Sequence, residues 1–376
     1  MLPIEWEVLL LGCLTATACG IVGGLALLRK QALMGDALGH SLLAGIGAGF
    51  WLLGSSRSPW LFPCAVASGL FAIMLVEFLA KQLGGNQATA LGLIFPAFFS
   101  IGIILISLAP KSAHIDLDRV VTGNLDLAPL DRLMVDGHDY GPRVAWSMAL
   151  ALGFIGFYLA AYWRHLHWIL FDPAGAHAMG LKPDRALSIL LLLTTCVITL
   201  AFETMGTVMV VSLLVAPGAT AWLLSRNLTN YLLFTVAVSL GAALTGRFAT
   251  LAIDASTTAA TSCAALALFG TAFLLAPQEG LLARWRASIK IRERLDARLI
   301  LVHLWHHEIR GDSEIECLAS ALTHHLNMPE VRLNKALNRL VKDQLAEKNG
   351  TLWQTTTAGT LLGRSLVEDD MGSRED

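Results

Sequence analysis

The sequence predicts an all-α polytopic membrane protein of about nine transmembrane helices, followed by a small α+β winged helix-turn-helix domain. Three observations predict it. The 376 residues are 55% hydrophobic and 15% charged, whereas a soluble domain carries about 25% charged residues. The charge is unevenly spread, with long apolar runs up to about residue 280 and mixed, charged sequence beyond it. The apolar runs also reach the length of about 20 residues that a spanning helix needs. The expected organisation is a transmembrane domain at 1–280, a soluble domain at 281–368 and a disordered tail at 369–376.

The first run opens with Glu5 and Glu7 rather than with basic residues, so it reads as a retained helix and not as a cleavable signal. Spanning helices are expected at roughly 8–28, 35–54, 60–80, 89–108, 143–163, 186–203, 205–224, 231–250 and 258–276. Only "FETMG" separates the two segments within 186–224, which reads as a tight re-entry or a broken helix, with Glu203 at the turn as a gate candidate. Pro217-Gly218, in "MVVSLLVAPGATAWLL", reads as a break or kink beside a pathway, or as packing against small residues. Glu77, Glu203, Arg247 and Asp254 fall near helix ends, where long side chains reach the interface.

Basic residues in the short loops set the expected orientation. With the C-terminal domain inside, Arg29/Lys30, Lys81, Arg164/Lys182/Arg185 and Arg226 are cytoplasmic. The opposite side receives Arg57 and a long loop at about 109–142. That loop carries His114, Asp116, Asp118, His138 and Asp139, which read as a solvated acidic loop or as a cation-receiving surface.

Beyond residue 281, "LLARWRASIKIRERLDARLILVHLWHHEI" is basic and then amphipathic at helical spacing. "EIECLASALTHHL" and "MPEVRLNKALNRLVKDQL" follow as helices, the second with Pro329 in its first turn. "AEKNGTLWQTT" reads as a hairpin turning at Asn349-Gly350, and "TAGTLLGRSLVE" as a last helix. The order resembles a winged helix-turn-helix. Its third helix places Arg332, Lys335, Arg339 and Lys342 on one face, a candidate nucleic-acid or partner surface. Residues 284–376 nevertheless hold 14 basic and 14 acidic residues, so the domain lacks the overall basic excess of a DNA binder. His303, His306, His307, His324 and His325 form a further set with metal-sensing chemistry.

Two polar residues stand out in the apolar half. In "MGDALGHSLLAG", Asp36 and His40 are spaced i, i+4, on one helical face. A carboxylate with an imidazole suits manganese, iron or zinc. The same spacing suits a helix-end pair, with Asp36 capping and His40 at the interface, and both readings stay open on spacing alone. In "WILFDPAGAHAMGLKPDRAL", Asp172 caps a short helix begun by Pro173, and Gly180 ends it. Such a helix is either a docking element or an ordinary interfacial helix. The six cysteines are scattered, without a C-x-x-C pair, and read as small core residues. No G-x-x-x-x-G-K-[ST] phosphate loop is present, so this chain is not expected to be the ATP hydrolase.

Taken in order, "GDALGHSLLAGIG", "TALGLIFPAFFSIGIILIS", "HIDLDRVVTGNL", "FDPAGAHAMGL" and "GTVMVVSLLVAPGATA" resemble the metal-ion branch of bacterial ABC importer permeases, over about residues 5–277. The resemblance implies an inner-membrane permease that moves manganese, zinc or iron inward. It implies dimerisation with itself or a paralogue, a separate ABC ATPase that binds ATP, and an extracytoplasmic metal-binding protein. No permanently bound cofactor is expected. Asp36 and His40 would line the pathway and contact the ion; Phe171, Asp172, Pro173, Ala176 and Gly180 would belong to the ATPase-docking stretch. One departure is "GNQATALG", which lacks the acidic residue that relatives often place just before this stretch. Two other functions compete: a secondary metal transporter working without an ATPase, and a membrane-anchored metal-responsive DNA-binding regulator.

Overall fold

The computed structural model describes residues 4–29, 31–54, 58, 60–108, 123, 125–135, 138–311 and 313–372. The chain divides into two compact units, Met1–Gly280 and Leu281–Asp376.

The first unit is helical: α1 Ile4–Leu28, α2 Ala32–Leu53, α3 Leu61–Gln82 and α4 Gln87–Ser107. A 3-10 turn at Leu125–Leu130 leads into an antiparallel hairpin, β1 Arg132–Val135 and β2 His138–Pro142. Then come α5 Arg143–Tyr162, the short α6 Leu166–Phe171 and α7 Pro173–Ala178, the long α8 Pro183–Leu224, α9 Leu228–Ile253 and α10 Thr257–Leu275. Eight helical segments among the described residues are long and apolar enough to cross a membrane, with α8 supplying two of them, Pro183–Phe202 and Thr204–Leu224. That is one fewer than the expected nine; the remaining candidate is α2, whose described apolar part is the shorter Ala37–Leu53. The hairpin was not anticipated, because its strands of 4 and 5 residues are too short to show an alternating pattern.

Helix α1 is the most enclosed span, with 67% of its apolar window buried, against 17% for α4. It packs on α8 and α9, and the Tyr231 hydroxyl of α9 donates to the buried Gly24 carbonyl at 2.9 Å. Buried hydroxyls face the same problem as any polar group removed from water. Seven of them solve it locally: Thr194, Thr199, Thr220, Thr235, Ser239, Thr250 and Ser262 each donate to the carbonyl four residues earlier. Asn86 and Asn227 cap α4 and α9 by accepting from Thr89 N and Asn230 N.

The break in α8 does not fall at Pro217-Gly218. Helical dihedrals run through both residues, and the non-helical position is Gly206, at φ 71° and ψ 172°. That region of backbone space is essentially glycine-only. Gly123, itself at φ +64°, lies directly against the Met205–Gly206 backbone at the break.

The second unit contains α11 Leu281–Arg310, α12 Ser313–Glu316, α13 Ala319–His325, α14 Glu330–Lys342, β3 Ala346–Asn349, β4 Leu352–Thr355 and α15 Thr357–Gly372. It has its own core, in which Ile300, Leu301 and Leu304 of α11 meet Leu322, Leu333, Leu337, Leu340 and Trp353. The hairpin register pairs Asn349 with Leu352, which places the turn at Gly350-Thr351, one residue later than expected. Helix α15 continues to Gly372, into the segment expected to be a disordered tail; residues 373–376 lie outside the described set.

Candidate functional site

The stretch Met34 to Gly45 lies in α2, packed between α3, α4 and α8. Gly39 faces the Phe202 ring of α8 so closely that no Cβ fits between them. Leu38 and Leu42 are buried alongside. The Ser68 hydroxyl of α3 donates to the Ser41 carbonyl at 2.9 Å, tying α2 from another side. This packing fixes where His40 points. Its ring sits edge-on against Phe95 and Phe99 of α4, with centroids 4.6 and 5.0 Å away. Asp36 lies one turn earlier on α2; its side chain falls outside the described set.

His40 opens onto a cavity of ≈ 570 Å³. The second half of α8 contributes Thr207, Val211, Ser212 and Val215, and α10 contributes Ser262 and Leu266. The wall is apolar apart from one imidazole and three hydroxyls. The three hydroxyl residues were missed at the sequence level, because Ser and Thr in apolar helices usually only bond their own backbone. On α8, Thr207, Val211 and Val215 recur every four residues and mark one face just after the break, with Ser212 beside them.

The Phe171–Gly180 candidate folds as its residue types dictate. Asp172 Oδ1 accepts from Gly175 N at 2.9 Å, Pro173 starts α7, and Gly180 follows it at φ +77°. Phe171 and Met179 are 47% and 52% exposed. Ala176, in the same stretch, is fully buried. A larger side chain there would disturb packing inside the chain.

The family model described as the ABC 3 transport family matches residues 1–276. This chain belongs to the ABC 3 transport family. The zinc transport system membrane protein TroD of Treponema pallidum is 30% identical over 362 residues, 96% of this chain and 98% of TroD. The manganese transport system membrane protein MntD of Bacillus subtilis is 27% identical over 292 residues, 78% of this chain and 99% of MntD. The solved structure of PsaBC from Streptococcus pneumoniae in complex with Fab is similar at 25% identity and a TM-score of 0.61, covering 74% of this chain and 94% of that one. The chain is therefore a multi-pass membrane permease of an ABC metal-transport family. The TroD similarity extends beyond the transmembrane unit, whereas the family model stops before the second unit begins.

In this ABC 3 permease the charged residues at the 3-10 turn and the β1–β2 hairpin are paired across long sequence separations. Arg132 of β1 donates to both carboxylate oxygens of Glu7 on α1, at 2.9 and 2.8 Å, and also to Asp139 of β2. Glu7 is 4% exposed. Asp139 accepts from Gly141 N, and this bond, joined by Arg132, holds its carboxyl below the usual carboxylate range. Asp139 is thus a structural anion in a clamp. His114, Asp116 and Asp118 lie outside the described set. Replacing Arg132 with Ala leaves the Glu7 carboxylate buried without its fork, so the detergent-purified variant should unfold at a clearly lower temperature than wild type. Arg132→Lys, which keeps the charge and loses the fork, should fall between them. Equal midpoints for all three would refute the clamp.

Arg247 of α9, expected to reach the interface, is instead mostly buried and pairs with Asp126 at 3.2 Å. Asp126 also accepts from the Thr257 hydroxyl at 2.7 Å, so α9, α10 and the 3-10 turn share one anchor. Glu203 sits in α8 three residues before Gly206, and its side chain falls outside the described set. In the second unit, two of the four basic face residues turn toward carboxylates of that unit. Arg332 forks onto Asp296 at 2.6–3.1 Å, while Arg339 lies 4.0 Å from Glu293 and 3.6 Å from Asp343.

Proposed function

We propose that this chain is the membrane-spanning subunit of an ATP-driven importer of divalent transition metal ions, with manganese, zinc or iron as cargo. The observation that carries the reading is His40, held by two phenylalanine rings at the mouth of a hydroxyl-dotted cavity, one turn after Asp36 in a transport-permease chain. An imidazole with a carboxylate selects this class of cation over calcium or magnesium. The names of TroD and MntD support the same cargo class.

The finer assignments follow the same logic. A second permease chain, the same or a paralogue, covers the cavity and completes the coordination. Hydrolysis of ATP belongs to a separate ABC ATPase, because this chain carries no phosphate loop. The ATPase docks on the exposed Phe171–Gly180 surface, and an extracytoplasmic metal-binding protein delivers the ion. The basic residues Arg164, Lys182 and Arg185 favour a cytoplasmic position for that loop and for the second unit. The helix order of the second unit, with its β3–β4 hairpin, supports a winged-helix reading. Internal pairing of Arg332 and Arg339 weakens a DNA-binding role and favours contact with a partner subunit.

The test is tracer uptake of manganese in cells lacking the chain and in cells resupplied with it, with zinc and iron as competitors. Resupply should restore uptake that depends on the partner ATPase. Restored uptake that persists without the ATPase would identify a secondary transporter instead.

A further inference from the structure

Outside the transmembrane unit, the described residues contain one three-residue cluster of metal-ligating type. His303 of α11, Glu316 of α12 and His325 of α13 each place a ligand atom within 4.8 Å of the other two. Glu316 Oε2 and His325 Nδ1 are 2.5 Å apart. We propose that these three side chains form a binding site for a divalent transition ion of the zinc class, which staples α11 to α12 and α13.

The geometry fits such an ion. Zinc–nitrogen and zinc–oxygen bonds of about 2.0–2.2 Å in tetrahedral arrangement place ligand atoms about 3.4 Å apart. The observed spacings, from 2.5 Å to at most 4.8 Å, bracket that value. Small rotations close the site, and they are available to His325, which is 43% exposed at the end of α13. The buried side is preset. His303 Nε2 is buried without a hydrogen-bond partner, an arrangement that costs free energy unless something coordinates the nitrogen.

The ligand set decides the class. Two imidazoles and one carboxylate, without thiolate, match three-ligand zinc sites that keep a position for water. The His307 ring, 4.4 Å from His303 by centroid, is the nearest further imidazole. Affinity for such a site rises from manganese towards copper, with zinc well above manganese. The site therefore discriminates against manganese even if manganese is the cargo, and the inference stands independently of the transport reading.

The consequence for the unit is mechanical. Its helices α12 and α13 have 4 and 7 residues, too short to hold their positions by helix formation alone. An ion coordinated from both and from α11 fixes the entry to α14. Metal occupancy then changes the rigidity of the whole second unit.

The experiment uses the full chain in detergent, stripped with a chelator and dialysed against Zn²⁺, with bound metal counted by mass spectrometry. Wild type should hold one zinc per chain that His325→Ala and Glu316→Gln lose, with affinity falling on the order of 100-fold. His324→Ala, a neighbour outside the cluster, should retain it, as should His40→Ala. Co²⁺ should give visible d–d absorption in wild type and in His324→Ala but not in His325→Ala. Equal zinc retention by His325→Ala, Glu316→Gln and wild type would overturn the site, as would loss of the same ion in His40→Ala.

Discussion

His40→Ala is expected to reduce metal uptake to the level of cells lacking the chain, while the protein still inserts and assembles. The ring contributes little to the core: it is half-buried, and its neighbours Phe95 and Phe99 keep their contact with each other at 6.3 Å between centroids. Its removal strips the cavity of its one imidazole and leaves three hydroxyls, which hold a transition ion far less well. Asp36→Asn should act in the same direction, because it removes the charge and keeps the shape. Ser41→Ala provides the control, since that hydroxyl bonds the Leu38 carbonyl of its own helix. Uptake by cells carrying each variant, normalised to protein in the membrane, checks the expectation. Near-normal uptake in both His40→Ala and Asp36→Asn would remove these residues from the pathway.

The second large effect is expected at Gly206. Its φ of 71° and ψ of 172° admit almost no other residue. A side chain there costs about 1–3 kcal/mol in backbone strain alone. Gly123 allows no relief, because its own Cβ position is filled by the Met205–Gly206 backbone. Gly206→Ala should therefore lower the thermal midpoint and uptake together, and Gly123→Ala should do the same. Pro217→Ala should do much less, because α8 is helical there already. A larger loss from Pro217→Ala than from Gly206→Ala would relocate the functional break to the proline.

That contrast shows where the sequence was readable. Local signals held. The apolar runs, the Asp172 cap with Pro173, and the final hairpin all follow from residues a few positions apart. The broken helix read at "FETMG" holds, since Gly206 is its last residue, whereas Pro217 stays within helical backbone; the dihedrals at Gly206 are open only to a residue without a Cβ. Side-chain pairing over distance was not readable. Glu7 and Arg132 are 125 residues apart, and Asp126 and Arg247 are 121 apart. Neither pair leaves a local trace, so Arg247 read as an interface residue. The histidines of the second unit were visible as a group, but Glu316 became their partner only through the packing of α12 against α11. At the candidate pathway, Asp36 and His40 were legible as spacing and chemistry, and the hydroxyls of α8 and α10 were not.

The short helix α7 has a further implication. Its cap at Asp172 and the His177–Asp184 contact of 3.1 Å make it a prefolded element joined directly to the start of α8. From Pro183 to Phe202, α8 is an uninterrupted rod of 20 residues, about 30 Å long. A rod that is stiff along its axis conveys displacement without absorbing it. Movement imposed on α7 at one surface would therefore arrive undiminished at the Gly206 joint, beside the cavity that His40 faces.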